Sequence, residues 1–195
     1  MRTTRLVPLT ALALALAAIA PPALAKTPVD QPEIRRTATV DLAGSGWIGR
    51  MSVGLATTGD GKARTTKPMP LDFLLERTDC TLAGCVVTTV TAAPGAMAMP
   101  RMAAGFTSLA VDPTLVGVVV RRSAPGGPSM EHTATLSIDL QARRSGDLSR
   151  VTALRQEPSG ETLTISLSAP ISGTLAIGDD SLVATGTAVK ASVVR

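Results

Sequence analysis

The stretch 133–141 reads TATLSIDLQ, in which apolar and polar residues occupy alternate positions. Successive side chains of a β-strand point to opposite faces, so this alternation predicts a strand with one buried face and one wet face. The stretch 162–169, TLTISLSA, repeats the pattern. No stretch after residue 26 shows the 3.6-residue repeat of a helix. The chain is therefore predicted to be all-β.

Further strand-like runs bring the count to about eleven strands: 38–42, 47–55, 71–75, 86–92, 105–111, 116–120, 150–156, 171–177 and 182–194. Residues 116–120 are apolar on both faces, as in a central strand that is covered on both sides. Turn-forming residues separate many of these runs, at 59–62, 124–128, 145–147, 158–160 and 178–180. This spacing is typical of sandwiches and barrels. We predict a single-domain antiparallel β-sandwich, or a partly open barrel, over residues 35–195. Two segments, 57–70 and 92–105, are predicted as longer loops.

The first 25 residues have the pattern of a secretory signal peptide. Arg2 and Arg5 give a positive start, and residues 9–20 are apolar except for one threonine. The triplet Ala23-Leu24-Ala25 resembles a cleavage site for signal peptidase. An apolar run of 12 residues is shorter than the roughly 20 that a membrane span needs. We predict a signal peptide over 1–25, a flexible leader over 26–34 and a secreted protein without a membrane span.

The charge of the chain argues against nucleic acid as a partner. Loss of the signal peptide lowers the number of Lys and Arg from 19 to 17 against 15 Asp and Glu, a net charge of +2. Nucleic-acid-binding proteins concentrate many cations on one face. The arginine pairs 35–36, 121–122 and 143–144 are scattered and typical of solvated strand ends. Contact with an anionic polymer of the cell envelope is the alternative.

Cys80 and Cys85 are the only cysteines of the chain, and they lie between two strand-like runs. An exported protein meets an oxidising environment, so we predict that they form a disulfide across a hairpin tip. A redox pair more often has two intervening residues, and a zinc site needs further ligands from a chain with one histidine. The pair is therefore predicted to be structural.

A second set of residues has the chemistry of a copper site. Met97, Met99 and Met102 form a Met-x-Met-x-x-Met cluster, and His132 is the sole histidine. Thioether and imidazole groups select Cu(I), which makes these four residues the candidate ligands of an exported copper carrier. Methionine also fills irregular gaps in a core, which is the commoner role. We expect no cofactor, with copper as the alternative.

Catalytic patterns are absent from the sequence. It has no nucleophile elbow, zinc-protease helix or phosphate-binding glycine loop. Five carboxylates are candidates for a hydrolase pair: Asp72, Glu76, Asp79, Glu131 and Asp139. One tryptophan and no tyrosine leave few aromatic faces to hold a sugar. We therefore expect a non-enzymatic binding or envelope module whose ligand is an envelope or extracellular component, with a copper carrier and a secreted hydrolase as the alternatives.

The signal peptide generates the first testable prediction. The chain purified from an exporting cell should begin at Lys26, because the small residues before it form the cleavage site. N-terminal sequencing and intact mass measure this directly, with the same chain made without export as the control. A secreted chain that still begins at Met1 would contradict the prediction.

Overall fold

The computed structural model describes residues 33–59, 63–82, 84–158 and 160–194. The predicted signal peptide lies outside these residues, as do residues 26–32 of the predicted leader, whereas residues 33 and 34 already belong to the first strand. The described chain forms eleven β-strands: β1 (Glu33–Gly44), β2 (Trp47–Gly59), β3 (Arg64–Pro68), β4 (Asp72–Thr81), β5 (Gly84–Ala92), β6 (Pro100–Met102), β7 (Leu109–Ser123), β8 (Met130–Arg144), β9 (Ser149–Glu157), β10 (Gly160–Ile177) and β11 (Asp180–Val194). One short 3-10 helix, Ala104–Phe106, lies between β6 and β7. No helix within the described ranges is long and apolar enough to cross a membrane.

All strands belong to one antiparallel sheet, which returns on itself. Its order is β1-β11-β10-β8-β7-β5-β4-β2-β3, and β1 also pairs with β2. Eight strands therefore form a ring in which each strand pairs with the next one, while β3, β6 and β9 add to its sides. The prediction of an all-β antiparallel fold of about eleven strands is confirmed. The ring-like pairing fits the partly open form of that prediction.

Two pairs of predicted strands are single strands in the structure. β10 runs through Pro170, where its pairing partner changes. Before the proline, Ser168 lies opposite Ser149, the first residue of β9; after it, Ile171 lies opposite Arg144, the last residue of β8. Proline has no N–H to give to a ladder, so a change of partner is a position where it fits. The carbonyl of Pro170 accepts a hydrogen bond from the N–H of Ser145, at 2.9 Å.

β7 also continues across a proline, at position 113, and its register with β8 shifts between Val111 and Thr114. A β-bulge of this kind accommodates a residue that cannot donate a hydrogen bond. Two short strands appear where loops were predicted: β3 falls in 57–70 and β6 in 92–105. The two mergers and the two additional strands compensate, which is why the predicted number of strands was right although some boundaries were not.

The inner face of the ring carries the core. Alternate residues of the ring strands are buried, and the largest side chains below 2% exposure include Phe73, Met51, Leu75, Ile138 and Leu140. Burial of such a side chain contributes roughly 1.5–3 kcal/mol relative to leaving it in water. The core ends in a row of small residues in which Val53, Ala38, Ala188 and Ala169 lie opposite one another on four neighbouring strands.

Glycines occupy inner positions where neighbouring strands approach closely. A Cβ atom added to Gly186 of β11 would lie 2.0 Å from the carbonyl oxygen of Thr39 and 2.7 Å from the Cα atom of Val40. Gly49 and Gly173 show the same 2.0 Å distance to carbonyl oxygens of their neighbouring strands. Glycine in a strand permits such an approach and the bend that accompanies it. The curvature of the ring therefore depends on residues without side chains.

The close approach at Gly186 gives the second prediction. Gly186→Ala should lower the free energy of unfolding by about 2–3 kcal/mol, because the methyl group forces the backbones of β1 and β11 apart. Urea unfolding monitored by circular dichroism measures this change.

Gly117→Ala is the matched control. Gly117 is exposed on β7, and the nearest atom to an added Cβ is the Cβ of Ala93 at 3.4 Å. This substitution should leave stability unchanged or raise it by up to about 1 kcal/mol. Equal effects of the two substitutions would contradict the role assigned to Gly186.

Candidate functional site

The only tryptophan of the chain lies at one end of the ring. Trp47 follows a two-residue turn between β1 and β2, in which Ser45 and Gly46 have φ angles of 49° and 77°. Two positive φ angles are the property of the type I′ turn, which suits the twist of antiparallel strands. Gly44 and Trp47 face each other across this turn. The tight hairpin thus fixes an aromatic ring at the end of the inner face.

Two charged residues hold the indole ring of Trp47. Its Nε1–H donates a hydrogen bond of 3.1 Å to Oδ2 of Asp180, at the start of β11. The guanidinium carbon of Arg77, which faces Trp47 in the β2–β4 register, lies 4.7 Å from the ring centroid. Arg77 in turn donates a 2.9 Å hydrogen bond to Asp79. The indole is therefore fixed on its edge by an anion and on its face by a cation.

Behind Trp47 lies a cavity of about 170 Å³. Apolar side chains from five strands form most of its wall, among them Leu75, Val90, Val120, Ala134, Leu136 and Ile177. Asp180 and Thr135 are its polar members. The cavity is partly open, and the opening follows from the strand lengths. The last residue of β10, Ile177, lies opposite Ile138, which is eight residues from the start of β8 at Met130. Residues 130–137 of β8 therefore extend past the end of β10.

An apolar group of about the size of a benzene ring fits the volume of this cavity. Its wall is apolar with a few polar atoms at one side, which is the usual composition of a small-molecule site. Within the described ranges, no group of three or more His, Cys, Asp or Glu side chains could hold a metal ion. The arrangement is suited to binding an apolar group.

The four candidate copper ligands have different surroundings in the structure. Met97 and Met99 are exposed on either side of the buried Ala98, whereas Met102 packs against the core from β6. His132 is exposed near the first residue of β8.

The strand register gives the separation of His132 from Met102. Met102 faces Leu109 on β7, which in turn faces Ala142 on β8. His132 is ten residues away from Ala142 along β8, which is roughly 33 Å of extended chain. The structure therefore does not bring His132 and Met102 together. His132 instead faces Val120, a residue of the Trp47 cavity wall.

The candidate hydrolase residues are also spread apart. Asp72, Glu76 and Asp79 lie on β4, and Glu131 and Asp139 lie on β8. Glu76 and Glu131 fall in one register row with two strands between them, so three spacings of about 4.8 Å place them about 14 Å apart. Paired catalytic carboxylates lie about 5–9.5 Å apart. The register therefore does not bring Glu76 and Glu131 within that range.

A second depression, of about 400 Å³, lies beside the 3-10 helix. Thr107 and Ser108 form one side, and Gln141, Arg143, Ser172 and Thr174 of β8 and β10 contribute the other. Most of these side chains are small and polar, and no aromatic ring lines the depression. The Trp47 cavity offers the more specific combination of an apolar wall, an aromatic ring and charged groups.

The sequence identified Trp47 only as the start of an alternating strand. Its contact with Asp180 joins residues 133 positions apart, which no local pattern reveals. The available signal was the segment Gly44-Ser45-Gly46 directly before the lone tryptophan, because this turn places the following residue at the end of a hairpin. Neither the cavity nor its opening has a signature in the sequence.

Comparison with known proteins identifies no relative of this chain: no family model, no curated protein and no solved structure matches it.

The disulfide predicted from the sequence is present. Cys80 and Cys85 face each other near the tip of the β4–β5 hairpin and are bonded.

We predict that the Cys80→Ser/Cys85→Ser variant folds but loses about 2 kcal/mol of stability, because an open tip has more freedom in the unfolded chain. Urea unfolding measures this loss, with the reduced wild type as the control. An unchanged midpoint would contradict the structural role of the bond.

Proposed function

We propose that the protein is an exported, non-enzymatic binding module that takes an apolar group of its ligand into the Trp47 cavity. The observation that carries this proposal is the cavity itself, which has an apolar wall and an indole ring fixed between Asp180 and Arg77. The signal-like segment over 1–25 and the Cys80–Cys85 disulfide support export, since such bonds persist in oxidising compartments. The ligand is an envelope or extracellular component.

The cavity favours binding because it is a poor site for water. A buried water needs about two to four polar partners, and apolar cavities of this size accept benzene or xenon instead. Thr135 and Asp180 are the polar residues of the wall. Asp180 already accepts the hydrogen bond of the indole N–H. An apolar ligand group therefore gains contacts here without displacing well-bound water.

The size of the cavity defines the class of ligand group. A volume of about 170 Å³ accommodates one aromatic ring or a short branched alkyl group. The remainder of a larger ligand would lie outside, near Arg77 and His132, which border Trp47 and Val120. We therefore expect a ligand with an apolar end and a polar body.

Trp47 makes the proposal directly testable, because the chain has no other tryptophan and no tyrosine. Toluene added to the purified exported chain should change the Trp47 emission in a saturable manner, with a dissociation constant on the order of 0.1–1 mM. The same ligand should raise the melting temperature by mass action. Fluorescence titration and thermal unfolding are the two measurements.

Two phenylalanine substitutions on β8 provide the matched comparison. Ala134→Phe fills the cavity from its wall and should abolish both responses. Thr133→Phe adds the same ring on the opposite, exposed face and should keep them. If toluene gives no saturable change with the wild type, or if the Ala134→Phe variant binds as well as the wild type, the proposed function is wrong.

A further inference from the structure

The sheet extends beyond the core at the end opposite Trp47. Past the row that contains Ala38 and Ala188, six strands continue in the order β3-β2-β1-β11-β10-β9. We call this part the sheet extension; it comprises residues 33–37, 54–59, 64–68, 149–157, 160–168 and 189–194. Its inner face continues that of the core, because the strand registers run on without a shift.

Two cations lie side by side on this inner face. Arg36 of β1 is directly opposite Lys190 of β11. The Cβ atoms of such opposite residues lie about 4.5–5.5 Å apart, and like charges at this distance destabilise a sheet. Both residues are only partly exposed. The extension thus places two positively charged side chains opposite each other on neighbouring strands.

Neither cation has an anionic partner. In the described part of the chain the arginine–carboxylate ion pairs are Arg35–Glu33, Arg50–Asp41, Arg77–Asp79 and Arg101–Asp112, and none includes Arg36 or Lys190. The neighbouring Arg35 shows the contrast: it lies on the outer face, and its hydrogen bond to Glu33 raises the pKa of its guanidinium. Arg36 and Lys190 are left without such compensation.

An apolar residue flanks each of the two cations in their register row. Leu55 faces Arg36, and Leu167 faces Lys190. From Leu167 the inner face of β10 continues through Ile165 to Leu163, a distance of about 14 Å along the strand. Arg150 of β9 lies opposite Leu167 and adds a third cation to the same row. The pattern is a cationic group at one end of an apolar strip.

We propose that the sheet extension binds an anionic phospholipid, with the phosphate between Arg36 and Lys190 and an acyl chain along Leu167, Ile165 and Leu163. A phosphate at this position neutralises both cations and removes the repulsion between them. The acyl chain covers the exposed parts of the leucine and isoleucine side chains, which are only partly buried in the free protein. This site is independent of the Trp47 cavity.

The neighbouring residues favour a lipid over other anions. A polyanion such as nucleic acid is bound by many cations along a path, whereas this row has three. A free phosphate ion makes no use of the apolar strip beside the cations. Glu161, near the tip of the β9–β10 hairpin, is six residues or roughly 20 Å along the strand from Leu167, and its carboxylate accepts a hydrogen bond from Gln156.

Vesicle flotation tests the proposal with the chain purified from the exporting host. The wild type should bind vesicles that contain phosphatidylglycerol and should not bind vesicles of phosphatidylcholine alone. Arg36→Ala/Lys190→Ala should lower the partition coefficient roughly 25-fold, since each cation near an anionic lipid surface contributes a factor of about five. Arg121→Ala/Arg143→Ala removes the same charge elsewhere and should bind like the wild type.

A second comparison tests the apolar strip. Ile165→Ser should weaken vesicle binding at least threefold, whereas Val151→Ser, on the outer face of the extension, should not. Without lipid, Arg36→Ala/Lys190→Ala should melt at the wild-type temperature or above it, because the substitution removes a repulsion. A clear loss of stability would instead give the pair a structural role and overturn the proposal.

Two further outcomes would also overturn it. If both charge variants lose the same fraction of binding, net charge alone explains the association. If inorganic phosphate prevents binding far more strongly than chloride at equal ionic strength, the pair is a site for the free ion and not for a lipid. Neither outcome affects the toluene test of the Trp47 cavity, so the two proposals fail separately.

Discussion

The pairing of β1 with β2 is the contact on which the remaining structure depends, because it closes the sheet into a ring. Without this pairing, hydrogen bonds would connect β1 to β2 only through the six other strands of the ring. Without it the sheet would be an open layer, and the alternate apolar residues of each strand would face water. Closure requires neighbouring strands to bend and approach, which Gly49, Gly173 and Gly186 permit because no side chain meets the next backbone. A low aromatic content is compatible with this core, since aliphatic residues from eight strands fill it together.

The fold class could be predicted from the sequence because strand alternation is a local signal. The stretch 133–141 shows its inner and outer faces directly, and Cys80 and Cys85 indicate a hairpin by their spacing. Partner exchange is not local: nothing near Pro170 shows that β10 leaves β9 there and joins β8. The same holds for β3 and β6, whose short polar or proline-containing segments become strands only because long strands offer them an edge.

The candidate sites were harder to predict than the fold, because they arise from strand register and strand length. The methionine cluster is prominent in the sequence, yet alternation sends Met97 and Met99 outward while Met102 packs against the core. Arg36 appears in the sequence as half of a solvated arginine pair, and only the register shows that it faces Lys190. The opening of the Trp47 cavity likewise follows from strand length, because residues 130–137 of β8 extend past the end of β10. Residues whose side chains could bind a metal or an anion can be recognised in a sequence, but the residues beside them on adjacent strands cannot.

The free edges of β3 and β9 have a consequence for the behaviour of many copies of this chain. A ring has few unpaired backbone groups, so outer strands such as these two are where intermolecular sheet growth can begin. Such growth is opposed on β3 by Pro68, which has no N–H to donate to another chain. Lys67 on β3 and Arg150 on β9 oppose it by electrostatic repulsion between copies of the chain. A protein rich in β-structure can thereby remain unaggregated at high concentration.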